Sequence, residues 1–223
     1  MDDLLYRGII IRQSNYGEAH RMLSVFTETD GIIKAVRYGV RGKKASNAAG
    51  FQVLSYGDFR LRPSRGGVMT AVSADIIDGF YPVCEDIVKL ALVNYFADIT
   101  YSILGEANPD RRILSLFLNI VYAAAYRSEP LSKLKCAYEL KLMCAGGYMP
   151  DTRGCAECGG APRYFSPDRG CLVCAEHRRR GDIAVSAGAV SVMSYLVRCP
   201  DKKMLVGVVV VIFLIIFGLG AAW

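Results

Sequence analysis

Four cysteines constrain this chain more than any other feature: Cys155-x2-Cys158 and Cys171-x2-Cys174, separated by twelve residues. Two thiol pairs so spaced can converge on one tetrahedral Zn2+, each pair carried on a tight knuckle, and the short segment between them must then fold around the ion. Gly154 precedes the first pair, Gly159 and Gly160 follow it, and Gly170 precedes the second, so the backbone is free to take the turns that sulfur ligation needs. Arg163-Tyr164-Phe165 and the turn Ser166-Pro167-Asp168 predict a short hairpin between the pairs. The first residues, Met1 to Arg7, are acidic and lack the basic region and long apolar run of a secretory signal, so the thiols are expected reduced. The expected ligands are Cys155, Cys158, Cys171 and Cys174. His177 competes through the spacing Cys174-x2-His177, but four sulfurs already close the shell and His177 runs straight into Arg178-Arg179-Arg180, so it is expected at the surface. A closed shell leaves no position for water, which makes the zinc structural rather than catalytic. Cys84, Cys136, Cys144 and Cys199 lie in apolar helical surroundings and read as small buried hydrophobes.

Upstream of this module the pattern changes twice. Leu4–Gln13, Arg21–Glu28, Gly31–Val40, Phe51–Arg62 and Val68–Asp78 are five runs rich in β-branched and aromatic residues with turn residues between them. Five short strands in about eighty residues fit a small closed barrel, with the OB-fold as the natural candidate. At Pro82 the period becomes helical. Helices are expected over Cys84–Leu104, over Asp110–Tyr126 behind an Asn108-Pro109 cap, from Glu129-Pro130 to Gly146-Gly147, and over Ser186–Arg198. The fold class is therefore α+β in several parts. An N-terminal five-stranded barrel (1–80) is followed by a helical domain (81–203) with an embedded four-cysteine zinc module (151–180), and then by an apolar tail (204–223).

That tail, MLVGVVVVIFLIIFGLGAAW, carries no charge, and 17 of its 20 residues are apolar. It accounts for a mean hydropathy of +0.26 in a chain that also has 27 basic against 21 acidic residues. The net charge of +6 belongs entirely to the preceding 203 residues. Its densest part lies between Lys34 and Arg65, where Lys34, Arg37, Arg41, Lys43, Lys44, Arg60, Arg62 and Arg65 stand against one acid, Asp58. On a strand Arg60 and Arg62 share a face opposite Phe59 and Leu61. A cationic groove with aromatics such as Tyr38, Phe51, Tyr56 and Phe59 would suit nucleic acid, held by phosphate neutralisation and base stacking. Phe51 and Phe59 also suit the barrel core. Gly39-Val40-Arg41-Gly42-Lys43-Lys44 is not a phosphate loop, since its first glycine is too close to the lysine and no Ser or Thr follows Lys43. His20 and His177 stand apart without a metal-hydrolase or triad arrangement, and no catalytic constellation is expected.

The segment Tyr16-Gly17-Glu18-Ala19-His20-Arg21-Met22-Leu23-Ser24-Val25-Phe26-Thr27, the loop Arg41-Gly42-Lys43-Lys44-Ala45-Ser46, Phe80-Tyr81-Pro82, the helix Tyr138 to Pro150 and the cysteine module occur in the order found in the bacterial RecO family of recombination mediators. The chain resembles that family over roughly residues 2 to 200. His20 stands where the family has an acid, and the apolar tail stands where the family has a mixed-charge amphipathic helix. The resemblance implies an OB-fold, a helical domain and a zinc site. It also implies a non-enzymatic role in DNA repair through the RecFOR pathway: binding single- and double-stranded DNA, annealing strands, and helping RecA displace single-strand-binding protein together with RecR, in the cytoplasm at the nucleoid. A different class of reading is a membrane-tethered zinc-ribbon adaptor whose basic face meets anionic lipid or a protein. Twenty apolar residues span about 30 Å as a helix, and Lys202-Lys203 would hold the body on the cytoplasmic side. The tail could equally replace a native C-terminus.

Overall fold

A computed structural model of the chain describes residues 2–39, 48–64, 67–105 and 108–205. Arg41, Lys43, Lys44 and Arg65, and the apolar segment from residue 206 onward, lie outside the described residues.

Strands β1 (Leu4–Tyr16), β2 (His20–Thr27), β3 (Gly31–Arg37), β4 (Tyr56–Arg62) and β5 (Met69–Asp78) close a barrel in the order β1-β2-β3-β5-β4. β3 and β5 run parallel and the other seams are antiparallel, including the β1–β4 seam that closes the ring. This is the expected OB-type barrel. Alternate residues of each strand fill it: Ile10, Leu23, Val25, Ala35, Phe59, Leu61, Ala71 and Ala74. Burying a large apolar side chain is worth roughly 1.5–3 kcal/mol, so the period-two pattern fixes register strongly. The other face of β1 to β3 is buried as well, through Ile9, Ile11, Phe26, Ile32 and Val36. On β4 alternation is clean, with exposed Arg60 and Arg62 interleaved with buried Phe59 and Leu61.

The fourth strand begins five residues later than its apolar run predicts. Ala48–Phe51 form a 3-10 turn and Leu54 sits at a left-handed φ of 72°. Leu54 donates its N–H to the Ile10 carbonyl (2.8 Å), and the Ser55 carbonyl accepts from Ile10 (3.0 Å). These bonds serve β1 next to its bulge at Ile10–Arg12, while Phe51 enters the barrel core from the turn. β1 in turn runs past Gln13 to Tyr16, because its hairpin with β2 stays paired as far as Tyr16 opposite His20.

Helices α1 (Tyr81–Cys84), α2 (Ile87–Leu104) and α3 (Arg111–Tyr126) complete the first compact unit, Met1–Ser128, with α2 packed on β1 and β3. The change of period at Pro82 marks the end of the strands, and the helices that follow pack in the same compact unit as the barrel. α2 starts at Ile87 rather than Cys84 because the Asp86 carboxylate accepts from the N–H groups of Val88 and Lys89. Asp110, not Asn108, caps α3 in the same way, through Arg112 and Ile113. Such a cap is worth about 1 kcal/mol. Gly31, at φ 68°, has room for no side chain: a Cβ there would lie 2.6 Å from the backbone of Asn108. Among the described residues α2 is the one helix long and apolar enough to cross a membrane, and its Val93, Phe96, Ala97, Thr100 and Leu104 are buried in the unit.

The second unit begins at Glu129 and holds α4 (Leu131–Ala145), the strands β6 (Tyr164–Ser166), β7 (Cys171–Val173) and β8 (Ile183–Ala184) in the order β7-β6-β8, and α5 (Ala187–Arg198). α4 ends at Gly146-Gly147 as its sequence predicts, and Ser186 caps α5 by accepting from Ala189. Within α4, Lys141 is only 1% exposed. Its ammonium donates to the Cys199 carbonyl and lies 3.3 Å from the Asp201 carboxylate, tying the end of α5 to α4. Cys144 and Cys199 are buried as expected, but Cys84 and Cys136 are exposed on their helices.

Candidate metal centre and barrel face

The metal module is built on the hairpin between the cysteine pairs. Tyr164 pairs with Val173, Phe165 with Leu172 and Ser166 with Cys171, and the Pro167 carbonyl accepts from Gly170 to close the turn. The first knuckle turns tightly: the Cys155 carbonyl accepts from Gly159 (2.7 Å), Cys155 donates to the Gly160 carbonyl (2.9 Å), and Gly159 takes a φ of 72°. Ala156 donates to the Leu172 carbonyl (2.9 Å), which brings this knuckle against β7.

The atoms that converge are the sulfurs of Cys155, Cys158 and Cys174 and a ring nitrogen of His177, all within 4.8 Å of one another. Cys158 Sγ lies 3.9 Å from Cys174 Sγ, and His177 Nδ1 lies 3.2 Å from Cys174 Sγ and 3.6 Å from Cys155 Sγ. A tetrahedral ion with bonds of about 2.3 Å to sulfur and about 2.0 Å to nitrogen sets sulfurs about 3.8 Å apart and sulfur from nitrogen about 3.5 Å apart. These three distances fit such an ion to within a few tenths of an ångström, the whole set lies within 4.8 Å, and three thiols with one imidazole are an ordinary structural zinc set.

Two expectations change here. Cys171 does not join the cluster, and His177, expected at the surface, does. Cys171 is committed to β7: its partners are Ser166 across the hairpin and a bridge to Asp151, and its side chain is buried with Cys155 and Val173. The second knuckle therefore starts at Cys174, where the chain has left the strand, and His177 three residues on completes it. The spacing Cys174-x2-His177 was the available signal.

The cluster favours thiolate. Burial pushes the Cys155 thiol up, but backbone N–H groups of Cys174, Cys158 and Glu157 point at its sulfur and prevail, bringing it down to about 6. The N–H and ring of His177 lower Cys174, and the Cys174 and Cys155 sulfurs raise His177. Gly160 N–H is the strongest single influence on Cys158 and pulls it down, but the Cys155 and Cys174 sulfurs and burial together leave it raised. Donors aimed at sulfur are what a cation-binding thiolate site requires. Around the site, Arg169 bonds Ser166 (2.9 Å), Asp182 (2.9 Å) and Glu157 (3.3 Å), and Arg178 lies 4.8 Å over the Tyr164 ring.

On the barrel, the described basic residues separate into different roles. Arg60 is exposed on β4 beside the Asp3–Arg62 pair. Arg62 is exposed and bound to Asp3 (2.7 Å), as Arg7 is to Asp58 (2.7 Å), so two carboxylates lie on the same face across the β1–β4 seam. The arginine hydrogen bonds hold both carboxyls below the usual range. Lys34 is half-buried on β3 opposite Ser24. Arg37 acts inside the fold: it donates to the Ala71 and Val72 carbonyls (3.1 and 2.9 Å) and stacks 4.7 Å over Phe51. Phe51 and Phe59 are core, as the alternative reading of the aromatics has it.

The sequence model described as Recombination protein O N terminal matches residues 1–80, and Recombination protein O C terminal matches residues 84–204, ending one residue into the apolar segment. Proteins named DNA repair protein RecO are similar along most of the chain. That of Acetivibrio thermocellus is 30% identical over 202 residues, covering 88% of this chain and 80% of its own length. That of Alkaliphilus metalliredigens is 30% identical over 196 residues, covering 85% and 78%. That of Rubrobacter xylanophilus is 30% identical over 176 residues, covering 77% and 70%. With the first model ending where the barrel strands end and the second running through the helices and the cysteine module, the chain belongs to the RecO family of DNA repair proteins.

Proposed function

We propose that this protein is a non-enzymatic mediator of recombinational DNA repair. It binds single- and double-stranded DNA along the barrel, anneals complementary strands, and assists RecA in replacing single-strand-binding protein, in partnership with RecR. The observation that carries this reading is the outer face of β4 on a closed OB-type barrel, where Arg60 stands exposed beside Arg62, itself paired with Asp3. Annealing requires that two polyanions approach, and cations on a rigid sheet lower that repulsion by displacing condensed counterions. The sequence adds Arg41, Lys43, Lys44 and Arg65 to the same barrel segment. Zinc on Cys155, Cys158, Cys174 and His177 holds the small module together, since a three-stranded sheet of two- and three-residue strands buries too little to fold alone. The protein acts in the cytoplasm, at the nucleoid.

Fluorescence anisotropy with a labelled oligonucleotide tests the reading. Arg60→Glu, and separately a Lys43→Glu/Lys44→Glu double variant, should weaken binding to all sequences equally, because phosphate contacts carry no base information. Unchanged affinity in both variants would remove the barrel face from the binding surface.

A further inference from the structure

Register brings Tyr16, His20 and Tyr38 to the same end of the barrel on three neighbouring strands. Tyr16 ends β1 and lies directly opposite His20, the first residue of β2. Tyr38 follows β3, and its ring meets His20 edge to face with centroids 4.8 Å apart and planes at 65°. Gly39 donates its N–H to His20 Nδ1 (3.3 Å), which holds the imidazole in place. Tyr16 is 48% and Tyr38 51% exposed. One exposed ring is ordinary, but here three aromatic residues stand at adjacent register positions at the ends of neighbouring strands. Arg21, the next residue of β2, faces the other side of the sheet, where it donates to Gln13 Oε1 (2.8 Å). The acid in the hairpin turn is Glu18.

We propose that Tyr16, His20 and Tyr38 form a base-stacking platform that takes unpaired bases of a single-stranded nucleic acid. This inference rests on the reading of the barrel as a nucleic-acid surface and adds strand selectivity to it. Phosphate neutralisation on β4 attracts single and double strands alike. A platform of ring faces gains only from bases whose own faces are free, and every base has one, so it selects unpaired strands without reading sequence.

The test compares three probes on the full-length protein at fixed salt: a labelled oligothymidylate, an abasic deoxyribose-phosphate strand of equal length, and a duplex. The wild type should bind oligothymidylate at least about tenfold more tightly than the abasic strand. Tyr38→Ala and Tyr16→Ala should each weaken oligothymidylate binding about 5- to 150-fold, the span expected for one stacked base. Abasic and duplex affinities and the melting temperature should stay unchanged, and Tyr38→Phe should retain wild-type behaviour. Equal wild-type affinity for the oligothymidylate and abasic strands overturns the platform while leaving phosphate binding intact. Equal losses on both probes in Tyr38→Ala also overturn it, assigning the ring to holding the hairpin. Failure to bind any probe overturns the underlying reading instead.

Discussion

Cys171 and His177 differ by six positions and exchange roles. Both stand three residues from Cys174, one before and one after, so spacing alone admits either as the fourth ligand. What decides is strand register: Cys171 is held between Ser166 and Asp151, and its side chain turns into the small core under the knuckle. That commitment depends on hydrogen bonds to residues distant in sequence, which is why it was not legible there. His177→Ala should therefore release the metal or leave it weakly held, whereas Cys171→Ser should keep one equivalent. Metal analysis, together with the d–d absorption of a cobalt-substituted sample showing three sulfurs and one nitrogen, checks both. Arg37 follows the same logic. Its basic character was plain, but its carbonyl partners lie 34 and 35 residues away on β5. Arg37→Ala should lower stability by about 1–3 kcal/mol, the cost of orphaned buried acceptors, read from a denaturant midpoint. Arg60→Glu should leave that midpoint nearly unchanged.

Elements were legible where one local rule governs them. Period-two alternation set β2, β3 and β5 within a few residues, and Ser186 and Gly146 marked helix ends correctly. Errors fell where tertiary bonds compete with pattern. The stretch from Phe51 to Ser55 is apolar enough for a strand, yet its backbone serves Ile10 and its ring fills the barrel. Asp86 and Asp110 displaced the predicted starts of α2 and α3 because a carboxylate reaching two N–H groups outcompetes continued helix upstream. Gly31→Ala should cost about 1–3 kcal/mol of stability, since the left-handed φ and the Asn108 backbone both oppose a Cβ. In the second unit, Lys141→Ala should destabilise by about 3 kcal/mol by stranding the Cys199 carbonyl and the Asp201 carboxylate, while Lys141→Met should cost less. Urea unfolding of the three variants would order them.

For the whole molecule, the described residues form two compact units, one organised by a barrel and one holding the metal cluster. The units should respond differently to chelation. Removing metal should lower the melting of the second unit and leave the barrel unit's transition in place, a separation visible by calorimetry. The family match covers both units and ends at residue 204, so the repair function is assigned to the basic body and not to the apolar segment. Central to the account is that the barrel binds DNA through its phosphates. The direct measurement is oligonucleotide affinity as a function of salt. The account predicts a linear fall of log affinity against log salt with a slope of about −0.7 per phosphate contacted by a single strand, and a shallower slope for Arg60→Glu. Affinity that ignores salt, or no binding at low salt, would contradict it.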